Sequence, residues 1–235
     1  MHKYFLFLTA GLLCVTGAGC VHAQDAVSTN GVVEEQVAEK AEVAVPESTE
    51  TPNVPKLAKL PVAVVCFGDV DDALAQRAQK WAQDNLAIPV PLLPSVPAAQ
   101  FATFEEVTAA ATAMMETNRV GLVVLWHPTS SINNHGAHYP ELHVAVANLN
   151  PMLTPDTDSE KIERRVERQV VRGICMLMGL EPSPNPYSAM FNYSNLEELD
   201  AIGRNLDPPW LKRLQEKAIE YGIPVDKESV FNMTN

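Results

Sequence analysis

Apolar and polar positions recur along this chain with two different periods, and each period points to an element. Val62-Ala63-Val64-Val65-Cys66-Phe67 is an unbroken apolar run closed by Gly68-Asp69, the pattern of a strand buried on both faces. Leu74, Ala78, Trp81 and Asn85 then return at helical spacing, with Asp69 or Asp71 placed as the cap and Pro89 beyond the end. Thr103 and Glu106 have capping-box spacing for a second helix to about Thr117, and Val120 to Trp126 reads as a second apolar strand. From Tyr139 to Ala147, Leu142, Val144 and Val146 alternate with Glu141, His143 and Ala145, which predicts a half-exposed strand at a sheet edge. A long helix is expected from about Ser159 to Leu180, with Ile162, Val166, Val170, Ile174 and Leu177 as its buried stripe. Ser194 with Glu197 predicts another capped helix, and Pro209 the first turn of a last one reaching Tyr221. Strands and helices in this order imply an α/β (α+β) domain, a mixed sheet under helical cover.

The first sixty residues are patterned differently. Met1-His2-Lys3 precedes an apolar run from Tyr4 to about Val15, small residues follow, and Val21-His22-Ala23 closes the segment, so residues 1–23 read as a secretory signal peptide. The run is shorter than the roughly 18 to 20 residues that cross a bilayer, and no integral membrane span is expected anywhere. Two processing routes fit: cleavage after Ala23, the first choice, or a lipid anchor at Cys20 behind Gly17-Ala18-Gly19. Both imply an exported chain, periplasmic, secreted or outer-envelope associated. Residues 24–60 carry Glu34, Glu35, Glu39, Glu42, Glu47 and Glu50, broken by Pro46, Pro52 and Pro55, with no aromatic residue. Such a stretch buries too little apolar surface to offset its chain entropy and is expected to be a disordered acidic stalk. Residues 61–235 remain for one domain with its own core.

The formal charge is -12, and an acidic surface of that kind repels phosphate backbones, so nucleic acid is not an expected partner. Outside the leader the cysteines are Cys66 and Cys175, in a predicted strand and helix; a disulfide and two buried free thiols are both open. Glu163, Arg164, Arg165, Glu167 and Arg168 read as the solvated face of the long helix. His127, His135, His138 and His143 fall within one short stretch. They could supply imidazoles to a metal, or form a polar loop whose turn is marked by Asn133, Asn134 and Gly136. No Gly-x-Ser-x-Gly elbow, phosphate-binding glycine loop or Cys-x-x-Cys is present, so serine hydrolase, nucleotide and thioredoxin-type chemistry have no support.

Three stretches together resemble one family. VAVVCFGDVDD at 62–72 and VERQVVRGICMLMGLEPSPNPYSAMFNYSNLEELD at 166–200 resemble the opening strand and the active-site helix of the archaemetzincins, zinc peptidases of the metzincin clan. Residues 120–150 fit more loosely, so the resemblance covers most of 61–214, and Met190 falls where that clan keeps the methionine under its metal. The resemblance implies a twisted mixed sheet, a long central helix and a helical C-terminal part. It also implies a zinc held by His-Glu-x-x-His-x-x-Gly-x-x-His, two imidazoles one helical turn apart with a glutamate as base. Here the histidine positions hold Arg172, Met176 and Pro182, the glutamate position holds Gly173, and Gly179 alone is kept. The four cysteines of the family's structural zinc become Ser183, Ser188, Asp207 and Trp210. A guanidinium, a lone thioether and an imino-acid ring cannot replace imidazole.

The expectation is therefore a catalytically inactive pseudopeptidase without a metal or other cofactor, an envelope protein that binds a peptide or protein in the residual cleft. Its cleft candidates are Arg172, Glu141, His143 and Met190, with Glu141, Glu181 or a peptide carboxylate as the anion facing Arg172. One alternative is a metal-dependent hydrolase built on His127, His135, His138 and His143, in which His135, His138 and His143 supply the nitrogens. The other is a purely structural envelope protein.

Overall fold

The computed structural model describes residues 57–97, 101–129, 131–154 and 157–226. The signal-peptide segment, Cys20 and stalk residues 24–56 lie outside the described residues. The ordered fold begins before Pro61, because Lys59 N–H donates to the Tyr221 carbonyl and Leu60 N–H to that of Asn118.

Four strands make one sheet in the order β1-β2-β4-β3. β1 (Ala63–Gly68), β2 (Leu122–His127) and β4 (Val144–Asn148) are parallel, and β3 (Gly136–Tyr139) runs antiparallel at the edge. The outer edge of β1 is covered by bridges from Leu92 and Val96. On one face α1 (Asp72–Leu86) and α3 (Ser159–Leu177) pack against Val64, Cys66, Val123, Leu125, Ala145 and Ala147. On the other, α2 (Phe104–Ala113) supplies Val107 and Ala111 against Val65, Phe67, Val124, Trp126 and Val146. Cover on both faces is why β1 and β2 read as apolar runs without alternation. Helices α4 (Leu196–Ala201) and α5 (Pro208–Glu220) complete the C-terminal part.

The local signals mostly operate as the sequence implies. Asp71 accepts from the N–H groups of Ala73 and Leu74 at the start of α1, and Thr103 with Glu106 forms a complete capping box on α2. The cap on α4 sits one residue later than expected, at Asn195, which accepts from Glu198 N–H.

Two expectations are corrected. The single edge strand over Tyr139 to Ala147 is a hairpin instead. Pro140 opens a one-turn 3-10 helix (Pro140–Leu142) and His143 takes a left-handed φ of 54°, so the chain reverses between β3 and β4. β4 is thereby an inner strand buried along its whole length, and the open edge belongs to β3.

Glu163 and Arg164 keep partial exposure, but the rest of the charged face of α3 is not solvated. Arg165, Glu167 and Arg168 are 5%, 0% and 5% exposed, because α1 and the 200–204 segment close over them. Glu167 is paired to Arg77 and to Arg204, and Arg165 holds Asp200 with Nε and Nη2 at 2.8 and 2.7 Å. Arg168 donates to the carbonyls of Asp200, Ile202 and Gly203. Such a shell satisfies every charge it buries, as burial demands. Finally, Cys66 and Cys175 are two buried free thiols.

Candidate functional site

Small residues open a cavity between α3 and the sheet edge. Register places Val64, Val123, Ala145 and His138 in one row across the four strands, and Cys66, Leu125, Ala147 and Gly136 in the next. Toward β3 these rows shrink to Ala145, Ala147 and Gly136, and the space left beneath α3 is a cavity of about 430 Å³. Val123, Ala145, Ala147 and β3 residues Gly136 to His138 form one wall, Gln169, Arg172, Gly173 and Met176 of α3 another, and Asn133 to His135 with Tyr193 and Ser194 the rest. Its size suits a small molecule or a few residues of a peptide.

Arg172 sits at the centre of a polar arrangement. Its Nη1 donates to the carbonyls of Ala189 (2.9 Å) and Phe191 (2.6 Å), fastening α3 to the loop that carries Met190. Its guanidinium lies 5.0 Å from the centre of the Tyr193 ring, and the His135 ring stacks on Tyr193 at 5.7 Å. Gln169 Nε2 donates to the Tyr193 hydroxyl at 2.8 Å. Burial pushes the Arg172 pKa down and the Tyr193 pKa up, so the phenol stays neutral beside the cation. Burial also holds His135 and His138 below the usual imidazole value; the Arg165 charge adds to this at His135, and Glu141 opposes it at His138. The fully buried Asn148 shapes the loop, since its Nδ2 donates to the carbonyls of Ile132 and Asn134 and its N–H to that of His135.

Of the residues expected in the cleft, Arg172 lines the cavity, whereas Glu141, His143 and Met190 are not among its lining residues. Glu141 and His143 are exposed on the hairpin, and Met190 is buried beneath the loop. Arg172 faces neither Glu141 nor Glu181; its partners are main-chain carbonyls and an aromatic ring. The four histidines do not converge either. His135 and His138 line the cavity, His127 meets the Asp69 carbonyl through Nδ1, and among the described residues no three His, Cys, Asp or Glu are grouped to hold a metal. Tyr193, Gln169 and Asn148 went unnoticed in the sequence. Gln169 precedes Arg172 by three residues on one helix face and could have been found that way; nothing local marks Asn148.

Two solved structures share this architecture. One is a zinc-dependent peptidase from Methanocorpusculum labreanum, 17% identical, TM-score 0.53, covering 65% of this chain and 99% of the other. The second is the archaemetzincin from Methanopyrus kandleri, 18% identical, TM-score 0.52, covering 71% of this chain and 99% of that one. The fold is archaemetzincin-like. At this identity the likeness concerns the fold alone, and no protein-family model and no curated protein matches the chain.

The residues that the resemblance sets at the zinc positions do not fit a zinc ion. Arg172 is a cation already bonded through Nη1, Met176 offers a lone thioether, and Pro182 is exposed and outside the cavity lining. At Gly173, which the resemblance sets opposite the family's general base, a Cβ would lie 2.9 Å from Val123 Cγ2 and 3.4 Å from Ala145 Cβ. The helix has settled onto the sheet where a glutamate side chain would have to leave. At the structural-zinc positions, hydrogen bonds join the segments instead. Ser188 Oγ accepts from Met190 N–H and, at 3.5 Å, from Asp207 N–H, Asn185 N–H donates to Ser183 Oγ, and Trp210 Nε1 donates to the Glu181 carbonyl at 2.7 Å.

Proposed function

We propose that this chain is an exported, catalytically inert archaemetzincin-like protein that binds an extended peptide along β3, with the cavity under α3 receiving side chains or an end of that peptide. The observation that carries the reading is the Gly173 contact. Val123 and Ala145 occupy the space a general base would need, while the cavity beside them stays open. With glycine at 173 and no imidazole at 172, 176 or 182, the family's route to a metal-bound hydroxide is missing, but an open strand edge beside a cavity still suits strand addition, in which main-chain hydrogen bonds give affinity and pockets give selectivity. Export rests on the signal-like residues 1–23.

Two measurements test this. The purified chain is expected to hydrolyse no peptide substrate in a chelator-sensitive manner, with or without added zinc; such hydrolysis would end the inert reading. Hydrogen exchange across Gly136 to Tyr139 is expected to slow when a peptide binds. Binding with exchange there unchanged would remove β3 as the docking strand.

A further inference from the structure

The cavity differs electrostatically from the molecule around it. The chain is strongly acidic at -12, yet among the described residues no Asp or Glu lines the cavity, and Arg172 is the one permanently charged residue of its lining. Nη1 of Arg172 is committed to two carbonyls. Nε and Nη2 have no hydrogen-bond partner among the described residues and are not closed off from solvent. These two donors share one side of the planar guanidinium, the side that matches the two oxygens of a carboxylate. The same protein uses that side elsewhere: Nε and Nη2 of Arg165 take the two oxygens of Asp200, and Nε and Nη2 of Arg204 take Glu167. On Arg172 the corresponding pair carries no such partner among the described residues, and Arg172 lines the cavity together with the neutral donors of Gln169, Asn133, Asn134 and Ser194.

We propose that Arg172 is the ligand-recognition group of this cavity and that it binds a carboxylate carried by the peptide, either the free C-terminus or an acidic side chain. The proposal rests on the peptide-binding reading above and sharpens it. A partly buried cation that lines a cavity and has donors to spare is stabilised by an incoming anion more than by a neutral group, because hydrogen bonds to charged partners are the strong ones. Nη1 keeps the guanidinium in place before the ligand arrives, so little side-chain entropy is lost on binding.

The test uses the purified full chain, immobilised, and three hexapeptide libraries of otherwise neutral residues: free acid, C-terminal amide, and amide with one internal glutamate. Succinate serves as a small carboxylate probe in solution. Retention of the free-acid or glutamate library is expected to exceed that of the neutral amide by about tenfold or more, the scale of a charge-assisted hydrogen bond, and Arg172→Gln should abolish the difference. Which library is preferred identifies the source of the carboxylate. Equal retention of all three overturns the Arg172 inference and leaves peptide binding standing. Succinate binding with no library retained overturns peptide binding and leaves the carboxylate site standing, and no binding of any probe overturns both. Because Arg172 also fastens the Ala189 and Phe191 carbonyls, His138→Glu is the companion variant. It leaves Arg172 in place, puts an acid into the cavity wall, and is expected to lower carboxylate retention about tenfold at an unchanged melting temperature. Undiminished retention by that variant counts against the proposal.

Discussion

Among single residues, Gly173 and Arg172 bear most directly on the proposed function. Restoring the acid with Gly173→Glu forces a Cβ to 2.9 Å from Val123. Overpacking of that kind should cost about 1 to 3 kcal/mol, seen as a lower urea midpoint, and should bring no hydrolysis; a stable, active variant would contradict the packing argument. Arg172→Ala leaves two carbonyls of the Met190 loop without their donor. The expected loss is about 1 to 3 kcal/mol, together with faster proteolysis between residues 188 and 193. Gly203 is the tightest glycine in the fold, since a Cβ there would fall 1.7 Å from the Tyr187 carbonyl oxygen. Gly203→Ala should therefore displace the 183–190 loop, visible as chemical-shift changes at Tyr187 and Ser188.

At the scale of elements, α3 is held by its buried apolar stripe and tied in addition by the charges buried around it. Glu167 is the hub, its carboxylate shared by Arg77 and Arg204. Glu167→Ala leaves Arg204 without its carboxylate and Arg77 with Glu163 alone, and should cost about 2 kcal/mol, measured by chemical denaturation. An unchanged midpoint would mean that water replaces the carboxylate at no cost. On α2 the closed Thr103 and Glu106 box is a local device, and Thr103→Ala should cost about 1 kcal/mol. The hairpin of β3 and β4 shows why alternation misleads at a boundary. Leu142, Val144 and Val146 keep a period of two, yet Pro140 and the left-handed His143 put Leu142 outside the strand that holds the two valines. Inner and edge strands are told apart by what pairs with them, which no single segment records.

For the whole molecule, pH reports on the cavity. His135 and His138 are held below their ordinary value of 6.5, mainly by burial. The unfolded chain takes up protons at these sites near pH 6.5 and the folded chain only lower, so stability falls as pH drops below about 6.5. Either residue changed to Gln should flatten the urea midpoint between pH 6.5 and 5; slopes equal to the parent's would show that the imidazoles are not the groups involved. Burial likewise raises Cys66 to about 11 and Cys175 further, so both thiols should resist alkylation until the chain unfolds.

What the sequence by itself determined is what depends on neighbours along the chain: the apolar runs of β1 and β2, the caps at Asp71 and Thr103, the stripe of α3, and the absence of imidazoles at Arg172, Met176 and Pro182. Those features act over one to four residues, so a reader of the chain meets the whole cause. Tertiary structure alone decided that β3 is the open edge, that the charges of α3 turn inward onto Arg77, Asp200 and Arg204, and that Arg172 bonds two carbonyls at the wall of a cavity. Each of these depends on groups 13 to 90 residues apart in sequence, brought together by the pairing of strands and the closing of helices over them, and sequence spacing carries no record of such distances.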